Sequence, residues 1–420
     1  MKSLLNLNSN KNPTDATRSQ PVYQWVMLGG VWLAYFSFGV VQGGIPPLVT
    51  PVSQDLGLSR SAMGTVLGAW PFIYIIVAIP AGALIDRFNL RLTIASGVTL
   101  IALSGFLRSI AVDYPTMLIA VMVFGIGGPF ISIGAPKLIS TWFDKNQRGR
   151  AMGIYLTAPA LGRILVLSTS NSILMPILQY SWRWTLSVFS GVALATAIVW
   201  LIIAKEHPSN SSDEKSKDLL GSMKVFPELL NISLIKITLL IVLGMFLFNH
   251  GTNNWMPAIL TDKGISLSRA GTLAAIPVAM GAIGAVVVPQ IVKASSRRKF
   301  LILGFLITAS TSVFLVLLDS GPLLWMNLAL QGVASRGIMP IIMLLLIDAA
   351  GSQKTGAAGG LYFTSGEIGG VLGPVLLGIS SDLLGGFNTG LLVLSAMCVL
   401  LGLGSIALRN TAEQALTKKY

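Results

Sequence analysis

The side chains with the most chemical content in this sequence are charges set inside apolar runs. Arg163 follows about a dozen apolar or small residues in "RGRAMGIYLTAPALGRILVLSTSN", and Arg336 sits midway along "MNLALQGVASRGIMPIIMLLL". A cation at mid-bilayer costs about 3 kcal/mol or more, so each must face a cavity or a partner. The planar guanidinium fork can pair two oxygens at once, which suits an oxyanion. The competing reading is an arginine bonded to backbone carbonyls or to an acidic neighbour, fixing two helices against each other. Glu367, in "YFTSGEIGGVLGP", is the one acid placed near the middle of a span. It could neutralise an arginine, carry a proton, or turn toward backbone groups or a water-filled edge. The glycines beside it favour close helix packing over phosphate binding, since no strand precedes them.

A second polar group lies in "FLFNHGTNNWMPAIL", which gathers Asn249, His250, Asn253 and Asn254 ahead of Pro257. Asn249 and Asn253 are four apart and share a helical face; the reading expects them to line a cavity where the helix unwinds. A lone histidine such as His250 is more often a hydrogen-bonding wall residue than a titrating group. Gln42, in "GVVQGGIPPLV", is a further cavity candidate. Lys137, Asp348 and Arg108 fall near helix ends, where snorkelling or gate pairing accounts for them. No Ser/His/Asp set, multi-ligand metal cluster or Walker loop appears, so neither enzymatic chemistry nor a cofactor or metal is expected. The single cysteine, Cys398, excludes an intrachain disulfide and reads as a packing residue.

Positioning these groups falls to helices. The chain has 420 residues, 53% of them hydrophobic and only 11% charged, against about 25% charged in a soluble domain. Twelve apolar runs, near 25–48, 60–83, 92–112, 116–141, 150–174, 185–204, 235–257, 268–292, 300–318, 323–347, 356–379 and 390–408, each span a bilayer core, which needs about 20 helical residues. An all-α membrane protein follows, with the lipid bilayer as its surroundings. The net charge of +13 is no nucleic-acid signal. Among the Lys and Arg residues outside the spans, only Arg60, Arg183, Lys263 and Arg269 fall on the side opposite the N-terminal tail. The positive-inside rule then puts both termini in the cytoplasm of a cell (inner) membrane protein.

The chain also repeats itself. "DLGLSRSAMGT" from Asp55 recurs as "DKGISLSRAGT" from Asp262, and "GRAMGIYLTAPALG" from Gly149 as "GAAGGLYFTSGEIG" from Gly356, both at an offset of 207 residues. The same offset pairs Gly125 with Gly332, Tyr155 with Tyr362, and Gln42 with Asn249. The expected organisation is a tail (1–22), a six-helix bundle (23–204), a charged linker (205–232), a second six-helix bundle (233–409) and a tail (410–420). Parallel repeats of this kind hold substrate near mid-membrane between two rocking bundles.

"GALIDRFNLRLT" is similar to the loop after the second helix of the major facilitator superfamily, with Gly82, Asp86, Arg87 and Arg91 matching and Asn89 at its second glycine. Asn tolerates the left-handed backbone that Gly would supply, so the turn is expected to survive. "WFDKNQRGRAMG" and "SWRWT" resemble the superfamily's turn between helices four and five and its entry to helix six. The region from Phe106 to Phe143 resembles, more loosely, cyanate, nitroimidazole and organic-anion carriers. The resemblance implies twelve helices in two bundles and a cavity lined by helices one, four, seven and ten. It also implies a loop latch on the cytoplasmic side in which Asp86 accepts bonds from a neighbouring helix end. Lys293 stands where the second-half copy of that acid would be.

The fifth helix of the family lies at the seam, so a gating role competes with substrate contact for Arg163. The substrate candidates are Arg163, Arg336, Gln42, Asn249, His250, Asn253 and Tyr362; the coupling or gating candidates are Glu367, Asp86, Arg87 and Arg91. The expected function is a secondary carrier, working as a monomer, for a small organic or inorganic anion. A multidrug or hydrophobic-solute exporter and a non-transporting receptor are the alternatives. Scarcity of buried acids argues against cationic drugs.

Overall fold

The computed structural model describes residues 20–206, 225–351 and 354–408. Residues 1–19, most of the expected linker with His207, and the C-terminal tail from 409 lie outside them. Among the described residues, twelve helices are long and apolar enough to cross a membrane. They are α1 (Gln20–Gln42), α2 (Arg60–Arg87), α3 (Leu90–Ser109), α4 (Tyr114–Trp142), α5 (Lys145–Thr169), α6 (Trp182–Ile203), α7 (Ser233–Asp262), α8 (Leu267–Ile291), α9 (Arg297–Leu317), α10 (Pro322–Ala350), α11 (Thr355–Leu384) and α12 (Phe387–Gly404). We call the end where α1 begins and α12 finishes the near end, and the opposite end the far end.

Local sequence starts several of these helices sharply. Ser59, Asn89, Asp113 and Ser181 each accept a hydrogen bond from a first-turn backbone N–H of α2, α3, α4 and α6, satisfying donors the helix leaves open. Asn89 has φ −54°, so the turn does not use the left-handed backbone that Asn would tolerate. Its side chain instead caps α3 through the Arg91 amide at 2.8 Å. Helix α5 starts at Lys145, earlier than its apolar run, because "KNQRGR" is helical ahead of the membrane. It then passes through a π-turn at Ser170–Leu174 and runs on to Ile177. Helix α7 stays continuous through Pro257; the expected unwinding is absent.

The repeat is built into the packing. Gly125 lies on the Trp70 carbonyl and Gly332 on the Pro277 carbonyl; Gly162 lies on the Phe36 carbonyl and Gly369 on the Leu243 carbonyl. In each pair both partners are displaced by the same 207 residues. A side chain at any of these glycines would collide with backbone, which is why small residues recur there. Helix α1 packs on α5, α2 on α4, and α3 on α6; α7 on α11, α8 on α10, and α9 on α12 repeat the pattern.

The halves meet through α2 against α11 and α5 against α8. Gly64 and Gly68 lie on Pro374 and Val371, and Gly271 lies on Leu167. The far end is locked as well. Arg60 pairs with both oxygens of Asp262 at 2.7 and 2.8 Å and donates to Ser381 Oγ at 2.6 Å. Asp382 accepts the backbone N–H groups of Arg60 and Ser61 at 3.1 and 2.7 Å. Toward the near end, Ile76, Ile79 and Leu84 of α2 are exposed. The halves are therefore closed together at the far end.

At the near end Asp86 pairs with Lys137 of α4 at 2.7 Å, a partner within its own half. Arg87 is exposed, and Arg91 donates to the Leu201 carbonyl of α6. In the second half the signs reverse, with Arg297 pairing Asp348 at 2.5 Å. Arg108 does not snorkel. It is 2% exposed, donates to the Val41 carbonyl at 2.9 Å and lies over the Phe124 ring at 5.2 Å.

Candidate functional site

Arg163 is near the middle of the span Lys145–Ile177, and Arg336 near the middle of α10. Both stems rest on glycine. A β-carbon at Gly43 would stand 3.1 Å from Arg163 Cγ, and one at Gly281 would stand 2.6 Å from Arg336 Cδ. Glycines on α8 and just beyond α1 thus leave the space through which the guanidiniums reach inward. One arginine comes from each half, and they are close enough to repel each other.

Their surroundings differ. Arg163 is 6% exposed. Its Nη1 donates to Gln42 Oε1 at 3.3 Å, and its Nη2 to the Asn254 Oδ1 at 2.9 Å and the Asn253 carbonyl at 3.1 Å. Its Nε is buried with no acceptor among the described residues. The Asn253 carbonyl is available for a physical reason. In a helix it would accept from residue 257, and proline has no N–H. Arg336 is half-buried, and among the described residues nothing accepts a hydrogen bond from it or forms an ion pair with it; its Nε is sealed from solvent.

The asparagine cluster links Arg163 to the helix that carries Arg336. Asn249 donates to the Met245 carbonyl at 3.0 Å and accepts from Ser335, the neighbour of Arg336, at 3.3 Å. Asn253 turns its amide back to the Asn249 carbonyl at 2.7 Å. The side chain that holds Arg163 is therefore that of Asn254, and Asn253 contributes backbone.

An aromatic layer adjoins this polar one. His250 is stacked on Phe246 and tilted against Trp70, both at 5.8 Å, within electrostatic reach of both arginines. Glu367 is 8% exposed, and its Oε2 is buried with no partner among the described residues. It forms no ion pair with either arginine there, so the counter-ion role is not what this geometry displays. A β-carbon at Gly370 would touch Glu367 Oε2 at 3.0 Å and His250 Nδ1 at 3.2 Å. Gly370 is the repeat mate of Arg163, so the second half has a carboxyl and an imidazole flanking the position where the first half has its arginine. Tyr35 and Tyr74 lie within electrostatic reach of Glu367. Tyr362 donates to the Met339 carbonyl at 3.2 Å, much as its repeat mate Tyr155 donates to Ile131 at 3.4 Å. Both hydroxyls serve helix packing.

A family model described as Major Facilitator Superfamily matches residues 31–374 and 291–419. The chain belongs to the major facilitator superfamily. Like other members, it is a multi-pass membrane carrier working by alternating access. It is similar to a probable galactarate/D-glucarate transporter, GudP, of Bacillus subtilis, 24% identical over 88% of each chain. It is 23% identical to a hexuronate transporter of the same organism, over 84% of this chain and 87% of the other. A putative tartrate transporter of Agrobacterium vitis is 21% identical over 92% and 90%. Among solved structures, a bacterial homolog of the human lysosomal transporter Spinster, inward-facing and occupied, superposes with a TM-score of 0.78 at 15% identity, over 92% of this chain and 97% of that one. That structure shares the superfamily fold.

Within that fold the sequence already points to Arg163, Arg336, Gln42 and the α7 asparagines, and the structure gathers them at one level. Asp86, Arg87 and Arg91 lie apart, at the near end. Tyr35, Tyr74 and Trp70 belong to the surroundings of the site without having stood out in the sequence, and Asn254, noted there in the polar group of α7, is not among the substrate candidates. Aromatic residues in apolar helices carry no periodic mark that separates a cavity wall from lipid contact. Pro257 is different: a proline four residues after Asn253 is a readable signal that this carbonyl is free.

Proposed function

We propose that this superfamily carrier moves a small organic anion bearing a carboxylate, held between Arg163 of the first half and Arg336 of the second. One observation carries the reading. Two guanidiniums from opposite halves converge at mid-membrane, and among the described residues neither forms an ion pair with an acidic side chain. An uncompensated cation there is tolerable when a mobile anion completes it. The relatives named for galactarate, hexuronate and tartrate support the same class. Gln42, Asn249 and Asn253 supply neutral polar groups for the remainder of such a cargo, with His250 as wall. Glu367 is proposed as the proton carrier. The distribution of Lys and Arg supports a cytoplasmic near end, so that the closed far end is the side away from the cytoplasm, and the site lies within one chain, as a functional monomer requires.

A thermal-shift screen of the purified protein tests the class. Stabilisation grows with the ratio of ligand concentration to dissociation constant. Galactarate, D-galactonate and tartrate should raise Tm, while lipophilic cations should not. Stabilisation by the cations alone would reverse the assignment.

A further inference from the structure

The bonds that hold Arg163 cross the seam. Arg163 is on α5 and Asn253 and Asn254 are on α7, so these contacts belong to the conformation in which the far end is closed. A carboxylate pairs best with two parallel N–H groups on one edge of a guanidinium. On the Nε–Nη2 edge of Arg163, Nη2 is occupied by Asn254 Oδ1 and the Asn253 carbonyl, and Nε is left buried without an acceptor. Two neutral oxygens of the protein therefore stand where an anion would bind, and they satisfy only one of the two nitrogens.

We infer that the Asn253 carbonyl and the Asn254 amide are a built-in competitor for the cargo, lowering the site's affinity in the far-closed state. When the halves part at the far end, α7 withdraws and Arg163 is free to take a carboxylate. When they close, α7 takes the guanidinium back and the cargo is left to Arg336, which has no protein partner among the described residues. Such a device gives the two states different affinities, the only kind of contact through which cargo and conformation can act on each other. Asn254 and Pro257 are then positioning residues acting through Arg163: Asn254 by its own oxygen, Pro257 by withholding the helical donor that would occupy the Asn253 carbonyl. The inference rests on the reading that Arg163 meets an anion.

Titration calorimetry of the full chain in detergent, with galactarate as probe, tests it through two variants of opposite sign. Asn254→Asp places a carboxylate on Arg163 and should raise the galactarate Kd by about tenfold or more, as a charged partner outcompetes a neutral one. Pro257→Ala gives the Asn253 carbonyl a helical donor; Kd should fall by about tenfold, with slower turnover in proteoliposomes because release is impeded. Damage to the helix could weaken binding but would not tighten it. In an Arg163→Ala background the proline exchange should have no effect on Kd. If wild type binds galactarate and Pro257→Ala leaves Kd unchanged or raises it, the competitor is overturned while the anion reading stands. If wild type binds none of galactarate, D-galactonate and tartrate, the anion reading itself fails and this inference falls with it.

Discussion

At the scale of single residues, the two arginines are unlike. Arg163 is held by Gln42, Asn253 and Asn254, whereas Arg336 has no such hold among the described residues. Glu367 is equally unaccompanied, its Oε2 facing no donor among the described residues. If it carries the proton, Glu367→Gln should retain counterflow exchange of galactarate in proteoliposomes yet lose accumulation driven by a pH gradient, because a permanently neutral side chain cannot cycle a proton. Accumulation that persists in this variant would assign the proton elsewhere. The depth of all three charges is legible in the sequence, since the length of apolar chain on either side sets it. Their partners are not: Asn253 and Asn254 are adjacent in sequence, and only the rotation of α7 against α5 decides which presents its side chain and which its backbone.

At the scale of elements, the helices act as shaped surfaces whose missing atoms matter. Gly281 on α8 leaves the gap filled by the Arg336 stem, with the Gly332 carbonyl 3.2 Å from where a β-carbon would stand. Gly281→Val should push the arginine off its position and raise the KM for galactarate by about tenfold, the scale of one charge-assisted hydrogen bond, with Tm lowered only slightly. An unchanged KM would show that the stem can bend around the obstruction. Twelve spans are legible because an apolar stretch of about 20 residues has few other fates. The miss at α7 has a physical cause. Proline removes one hydrogen bond from a helix, and the sequence suggests a break; here Arg163 satisfies the stranded carbonyl, and the helix runs on. At Asn89 the turn persists by a different route, since the side chain that tolerates a left-handed turn is also a strong N-cap.

For the whole molecule, the duplicated halves are plain in the sequence, but the state they adopt is not, because both states are written in the same residues. The far-end lock defines this one. Arg60→Ala should release Asp262 and Ser381, leaving the backbone N–H of residue 60 on Asp382, and increase the far-open population, read as a longer mean distance between fluorophores on cysteines at Gln54 and Ser320, both exposed at that end. The exchange Arg60→Asp with Asp262→Arg should restore the wild-type distance; failure to restore it would mean the ion pair is incidental to closure. The central claim, that a guanidinium in the shared cavity holds the cargo, is tested most directly by galactarate, D-galactonate and tartrate uptake into proteoliposomes carrying wild type or Arg336→Lys. Lysine keeps the charge but loses the planar fork. Wild type should take up at least one of these anions, and the lysine variant, still folded with an unchanged Tm, should lose that uptake. Equal uptake by the two proteins would mean that the Arg336 guanidinium does not hold the cargo.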